Sequence, residues 1–213
     1  MGGATYAEGG FPSAGEATTT AQKIWAMFGP EQPDSGVLRP FGSSVVDGFD
    51  YDFESATTNM VPFGVELRRL MDEATSGGDK PYYIVAAPQC PYPDIANEEA
   101  LDGGVFFDWI QIQFYNNFCS AASFVEGAPE QTSFNFGTWD NWAATVSLNP
   151  DVKVLLGIPA NEGAAGSGYV EGPQLAAAIE YSKTYSSFGG VMMWDVSQLY
   201  ANEGFLAEVV SSL

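Results

Sequence analysis

The chain has 213 residues, of which 46% are hydrophobic and 14% aromatic, a composition typical of a globular protein with a sizeable core. It contains no histidine and only two cysteines. Ser-His-Asp and Cys-His catalysis and histidine metal sites are therefore excluded, and two cysteines do not make a zinc site by themselves. Any acid–base chemistry must use carboxyl, tyrosine or lysine groups. We predict one domain over residues 1–213, with no metal and no cofactor.

Acidic residues outnumber basic ones by 27 to 7, which gives a formal net charge of -20. The basic residues are scattered and form no stripe that could neutralise phosphates, so nucleic acid and anionic membranes are poor partners. The acidic balance favours an uncharged substrate. No apolar run approaches the length of a membrane span. The N-terminus lacks the pattern of a secretion signal, so we expect that a signal was removed or that the start of the protein is missing.

Apolar stretches of strand length alternate with helical patterns along the chain. In chain order the sequence predicts a helix at 17–29, a strand at 45–53, a helix at 63–74, strands at 82–88 and 107–115, a helix at 134–148, a strand at 153–160, a helix at 173–185, a strand at 189–196 and a helix at 203–213. This order indicates an α/β fold with a parallel sheet, either doubly wound or part of a (β/α)8 barrel. The glycine-rich stretch 163–168 lacks the lysine and spacing of a phosphate loop, and we interpret it as a flexible loop.

The most informative segment is DGFDYDFE, residues 47–54. Successive side chains of a strand point to opposite faces, so Asp50, Asp52 and Glu54 share one face, and the aromatic residues between them share the other. Same-face neighbours lie about 6.5–7 Å apart. Three carboxyls so close together do not all ionise easily, so at least one is expected to have a raised pKa, as a proton donor to a leaving oxygen requires. A calcium-binding loop and a solvated strand edge are the alternatives.

Three further polar or aromatic positions lie at or near the ends of predicted strands. Gln113 and Tyr115 lie on one face of the 107–115 strand, and in a barrel this face points to the interior. Trp194 lies near the end of the last strand, where an indole suits the face of a sugar ring. The alternatives are a buried tyrosine bonded to the backbone and a tryptophan packed in the core.

The DGFDYDFE segment fits the DGxDxDxE signature of family 18 glycoside hydrolases. The segments AAPQCPYPD, QFYNN, GIPANEGAAGSGYV and GGVMMWDV are similar to those of plant and fungal class III, hevamine-type chitinases, and the resemblance covers nearly the whole chain. It implies a (β/α)8 barrel that cleaves chitin or N-acetylglucosamine oligomers internally, with retention and without an enzyme nucleophile. It also implies a secreted protein, which we expect to be a monomer.

The resemblance implies a role for each carboxyl of the row. Glu54 is the proton donor and later the base for water. Asp52 orients the 2-acetamido group, whose carbonyl attacks the anomeric carbon, and stabilises the resulting positive charge. Asp50 shares a proton with Asp52.

The remaining implied roles fall on the later strands. Tyr115 hydrogen-bonds the acetamido oxygen, Gln113 lies beside it in the substrate site, and Trp194 forms the floor under the distorted sugar. The matching cysteines of the family form a disulfide, which implies a Cys90–Cys119 bond and an oxidising, extracellular setting. Two buried thiols are the alternative.

In one respect the chain departs from the family. The family's third-strand motif ends like Gly2–Gly3, so we expect the 45–53 strand to be the fourth, and strands one, two and most of three to be absent. We therefore expect an N-terminally incomplete barrel that by itself is unstable or weakly active. Two other functions stay open: an endo-β-N-acetylglucosaminidase acting on N-glycans, and a catalytically silent sugar-binding or inhibitor protein on the same barrel.

Overall fold

The fold was analysed in a computed structural model that describes residues 1–32 and 36–213. Every predicted helix and strand is present, with ends shifted by a few residues. The elements are α1 (Ala14–Phe28), β1 (Gly48–Tyr51), α2 (Met60–Ser76), β2 (Tyr83–Ala86), α3 (Glu98–Leu101), β3 (Trp109–Gln113), α4 (Phe136–Thr145), β4 (Lys153–Pro159), α5 (Gly172–Lys183), β5 (Phe188–Trp194), α6 (Val196–Tyr200) and α7 (Phe205–Ser212). Short 3-10 helices occur at Ala121–Ser123 and Glu162–Ala164.

The chain forms two compact units. The first comprises Met1–Val85, Ile95–Asp108 and Ser147–Asn149, and the second comprises Ala86–Asp94, Trp109–Val146 and Pro150–Leu213. Within each unit the spatial order of the strands is the same as their order in the sequence. In the first unit β1 lies beside β2, and in the second β4 lies between β3 and β5. The pairs β3–β4 and β4–β5 are parallel, so the predicted α/β class is confirmed.

Helix α1 of the first unit has local signals at both ends. Ser13 caps its start, where the Ser13 Oγ accepts a hydrogen bond from the Glu16 N–H at 3.2 Å. At its end the Gly29 N–H donates to the Trp25 carbonyl at 2.7 Å. A Cβ on Gly29 would lie 2.7 Å from the Trp25 ring, so only glycine lets the chain leave the helix there.

Helix α2 covers the aromatic face of β1. Phe63, Leu67 and Met71 are buried at the predicted helical spacing. Tyr51 of β1 is fully buried, and its ring centroid lies 6.2 Å from that of Phe63. The helix pattern and the strand alternation thus meet in one core.

The start of β1 requires a glycine. A Cβ on Gly48 would lie 2.1 Å from the Tyr83 carbonyl oxygen, so β1 approaches β2 without a side chain at this position. Nearby, Arg68 of α2 forms an ion pair with Asp108 at 2.5 Å. The same Asp108 Oδ2 accepts from the Ile84 N–H at 2.8 Å, which ties α2 to β2.

The three strands of the second unit end at one edge. Gln113 at the end of β3 is in register with Gly157, and Pro159 at the end of β4 is in register with Trp194. Side chains that follow these strands are therefore placed along the same edge of the sheet, which is where parallel-sheet proteins build their sites.

The last strand is shorter than predicted. The sequence predicted a strand over 189–196, but β5 ends at Trp194 and α6 begins at Val196. The reason is Asp195, whose carboxylate accepts from the Ser197 N–H at 2.8 Å and the Gln198 N–H at 3.1 Å and so caps α6.

Candidate active site

The predicted carboxylates lie along β1 and its continuation. Asp50 is within β1, Asp52 follows it in a parallel bridge with Gly2, and Glu54 lies two residues further on. Asp50 and Asp52 are half-buried and Glu54 is exposed. The intervening aromatic side chains are all buried: Phe49, Tyr51 and Phe53. Burial therefore follows the predicted alternation, and β1 with its continuation is flanked on both sides, so it is not a solvated edge.

The backbone of Asp52 is held by the N-terminal segment. The Asp52 N–H donates to the Met1 carbonyl at 2.9 Å, and the Gly3 N–H donates to the Asp52 carbonyl at 2.6 Å. Gly2 has φ 99°, and a Cβ there would lie 2.5 Å from the Asp52 carbonyl oxygen. The pairing at this carboxylate therefore depends on glycine.

The surroundings of Asp52 change its acidity. Burial raises the pKa of Asp52. The prediction that at least one carboxyl of the row has a raised pKa is met at Asp52. This side chain holds a proton more readily than an exposed aspartate does.

Two hydrogen bonds fix the backbone on either side of Glu54. The Asn97 Nδ2 donates to the Phe53 carbonyl at 2.9 Å, and the Ser55 Oγ donates to the Tyr6 carbonyl at 2.8 Å. Asn97 is buried, and it was not among the predicted site residues. A single asparagine outside any repeat or motif carries no signal that would have found it.

In the second unit, Gln113 ends β3, Tyr115 follows two residues later, and Trp194 ends β5. Gln113 is buried and its Nε2 donates to the Ala87 carbonyl at 2.9 Å, so this amide also ties the end of β3 to the segment after β2. Tyr115 is buried as well. Trp194 is 47% exposed, which does not fit the alternative of a tryptophan in the core. Its carbonyl accepts from the Ala160 N–H at 2.7 Å.

The predicted disulfide is present between Cys90 and Cys119, with a Cα–Cα separation of 5.9 Å. The Cys90 carbonyl also accepts from the Trp139 Nε1 at 3.0 Å and the Asn135 Nδ2 at 2.8 Å. The loop that follows β2 is thus anchored to α4 and to the loop that follows β3, which is the loop that carries Tyr115.

Further polar side chains around Tyr115 were not identified from the sequence. The Asn117 Nδ2 donates to the Gln89 Oε1 at 3.0 Å, and Gln89 bridges in parallel with Gln113. Asn116 binds the glycine-rich loop at 163–168. The only available signal was the pair of asparagines in QFYNN, whose amides suit turns and backbone hydrogen bonds.

The described residues, 1–32 and 36–213, contain no group of three or more His, Cys, Asp or Glu side chains arranged to hold a metal ion. Over the same ranges, no helix combines the length and apolar character needed to cross a membrane. What the described groups offer chemically is a row of three carboxyls on one strand, one of them with a raised pKa, and a buried tyrosine on another.

No protein-family model matches the chain. The chain is 55% identical to a class III chitinase of Arthroderma benhamiae over 214 aligned residues, which cover 100% of this chain and 64% of that protein. The chain thus spans less than two thirds of this relative's length. A crystal structure of a chitinase from Ipomoea carnea is similar with a TM-score of 0.74 and 26% identity, covering 95% of this chain and 68% of that one. A xylanase and α-amylase inhibitor protein from Scadoxus multiflorus is similar with a TM-score of 0.71 and 27% identity, covering 95% and 69%.

Proposed function

Because the chain belongs to the class III, hevamine-type chitinases of glycoside hydrolase family 18, we propose that it hydrolyses β-1,4-linked N-acetylglucosamine polymers internally. The observation that carries the proposal is the row of Asp50, Asp52 and Glu54 along β1 and its continuation. The whole of this chain aligns with 64% of the class III chitinase of Arthroderma benhamiae. The reaction retains the anomeric configuration and uses the substrate's own acetamido group as nucleophile.

In the first step Glu54 gives its proton to the glycosidic oxygen. The bond between this oxygen and the anomeric carbon breaks while the acetamido carbonyl oxygen bonds to the same carbon, which forms an oxazolinium ion. In the second step the Glu54 carboxylate takes a proton from water, the water oxygen bonds to the anomeric carbon, and the acetamido group is restored. The exposed position of Glu54 gives solvent access for this second step.

Asp52 and Asp50 serve the acetamido group. Asp52 orients the group and stabilises the positive charge of the oxazolinium ion, and Asp50 shares a proton with Asp52. Burial raises the pKa of Asp52, which supports its place as the member of the pair that holds the shared proton.

The residues of the second unit bind the sugar. Tyr115 donates a hydrogen bond to the acetamido oxygen, Gln113 lies beside it, and the exposed indole of Trp194 forms the floor under the distorted sugar ring. The net charge of -20 suits this uncharged substrate and disfavours nucleic acid.

We assign the five strands to the last five of a (β/α)8 barrel, with β1 as the fourth. The parallel bridge between Gly2 and Asp52 supports this count, because Gly2, which we assign to the end of the third-strand motif, pairs with the continuation of β1. The disulfide supports a secreted protein, since such bonds persist in oxidising compartments. We expect the protein to act as a monomer.

The test compares wild type with Glu54→Gln on N-acetylglucosamine oligomers, with NMR detection of the product anomer. Glu130→Gln, which changes another exposed glutamate, is the matched control. We expect wild type and Glu130→Gln to release products in the β configuration and Glu54→Gln to be inactive. Release of high-mannose glycans from a glycoprotein without cleavage of the oligomers would instead indicate an endo-β-N-acetylglucosaminidase.

A catalytically silent sugar-binding or inhibitor protein is the second candidate, because the chain is also similar to the xylanase and α-amylase inhibitor protein of Scadoxus multiflorus. The presence of Glu54 argues for the enzyme. The binding function is supported instead if wild type and Glu54→Gln bind the oligomers alike and neither cleaves them.

A further inference from the structure

A hydrogen-bonded loop follows directly on Tyr115. Asn116 has φ 58°, in the left-handed region, and its Oδ1 accepts from the Gly166 N–H at 2.8 Å and the Ser167 N–H at 3.2 Å. The Asn116 N–H donates to the Ser167 carbonyl at 3.1 Å. The residue after Tyr115 is therefore joined to the glycine-rich loop through its side chain and its backbone.

The same loop lies against Tyr115 itself. Gly168 has φ 101°, and a Cβ there would lie 2.8 Å from the Tyr115 Cα and 3.0 Å from the Tyr115 Cβ. The loop backbone thus presses on the base of the tyrosine side chain, at a position where only glycine fits. The loop predicted to be flexible is in fact anchored at Asn116.

A second asparagine hydrogen-bonds the backbone of Tyr115. The Asn117 Nδ2 donates to the Tyr115 carbonyl at 3.4 Å and to the Gln89 Oε1 at 3.0 Å. Cys119, two residues further on, is fixed by the disulfide. The loop bound by Asn116 is thus one of the restraints on the tyrosine.

We propose that Asn116 is a positioning residue for Tyr115, acting by fastening residues 166–168 against it. The proposal rests on the proposed function, in which the Tyr115 hydroxyl meets the acetamido oxygen. Asparagine combines tolerance of the left-handed conformation with an oxygen that accepts two N–H groups. Without these bonds Tyr115 samples more orientations, and a misplacement of about 1 Å can lower the rate about 100-fold.

The test uses Asn116→Gly and Asn116→Asp. Glycine keeps the backbone conformation and removes the acceptor, whereas aspartate keeps both. We expect Asn116→Gly to lower kcat on N-acetylglucosamine oligomers by about 10–100-fold with a smaller change in KM, and Asn116→Asp to stay within a few-fold of wild type. In a Tyr115→Phe background, Asn116→Gly should add little, because its effect passes through the hydroxyl that this variant lacks. Equal kcat values for Asn116→Gly and wild type, an equally poor Asn116→Asp, or effects that multiply with Tyr115→Phe would overturn the proposal.

The loop offers its own matched pair of variants. Gly168→Ala should behave like Asn116→Gly, while Gly163→Ala should not, because a Cβ on Gly163 meets only the Gln198 Oε1 at 3.8 Å. If both alanine variants lower kcat equally, the loop acts in some other way and the proposal fails.

Amide hydrogen exchange at Gly166 and Ser167 separates this proposal from the proposed function. Exchange should accelerate in Asn116→Gly and stay slow in Asn116→Asp, whether or not the chain cleaves chitin. Unchanged exchange overturns the inference even in an active enzyme. If the wild-type chain neither cleaves nor binds the oligomers, the proposed function fails, and the role assigned to Asn116 fails with it. The exchange rates at Gly166 and Ser167 would still report whether Asn116 holds the loop in place.

Discussion

Loss of the Cys90–Cys119 bond should destabilise the protein by an amount set by the loop that it closes. The two cysteines are 29 residues apart in the sequence. In the chain-entropy model, a closed loop of about 30 residues contributes about 3.6 kcal/mol to the free energy of unfolding near room temperature. For a chain of this size, that loss lowers Tm by roughly 7–14 °C.

The measurement is thermal unfolding followed by circular dichroism, for wild type and for a Cys90→Ser/Cys119→Ser double variant, each with and without dithiothreitol. The double variant should melt at the temperature of reduced wild type and should not respond to the reductant. If full reduction lowered the Tm of wild type by less than about 2 °C, the loop-closure estimate would be refuted. The bond would then be redundant, either because the unfolded chain is already restrained without it or because native contacts, such as those of the Cys90 carbonyl with Trp139 and Asn135, suffice to hold the loop.

Three further predictions concern stability. Burial raises the pKa of Asp52, so the native state binds more protons than the unfolded chain above about pH 4, and the free energy of unfolding falls as pH rises towards the native pKa. Asp52→Asn should remove this contribution to the slope and should melt at a higher temperature than wild type at neutral pH, while losing activity. If Tm of the variant and of wild type depended on pH in the same way, this reasoning would be contradicted. Gly48→Ala should lower the free energy of unfolding in urea by about 3 kcal/mol or more, because the added Cβ would lie 2.1 Å from a backbone oxygen. Gly15→Ala is the control: the nearest atom to its Cβ is 4.0 Å away, so the free energy of unfolding should rise by roughly 0.5–1 kcal/mol. Equal effects of the two variants would refute the steric argument. Arg68→Met should lower the free energy of unfolding by about 3 kcal/mol, because it leaves the Asp108 carboxylate without its cation. Adding Asp108→Asn to this variant should recover part of the lost stability. If the effects of the two substitutions were strictly additive in a double-mutant cycle, the ion pair would not contribute.

The strand that carries the carboxylates was predictable because two local signals agree there. Acids and aromatics alternate with the period of a strand, and the aromatics are large enough to require burial. Burial of Phe49, Tyr51 and Phe53 follows this pattern in the structure. The pKa of Asp52 is raised as expected, but its cause is burial rather than the spacing of the carboxyls from which the prediction was made.

The contacts around Tyr115 were not predictable in the same way. Asn116 has a left-handed backbone conformation and hydrogen-bonds to residues 166 and 167, which lie 50 and 51 positions further along the sequence. No local pattern encodes a pairing over such a distance. The end of β5 is a different case. Asp195 precedes the apolar residues of α6 as a helix cap does, but the continuous apolar run before it favoured a longer strand.

One strand thus carries opposing contributions to stability. On one face of β1 and its continuation, the three buried aromatic side chains each contribute about 1.5–3 kcal/mol by leaving water. On the other face, Asp52 is partly desolvated, which disfavours its charged form at neutral pH. Because the two faces alternate residue by residue, the aromatic face holds in place the carboxyl whose burial opposes folding. A chain without histidine can in this way raise the pKa of an acid, and it does so with the packing of the same strand.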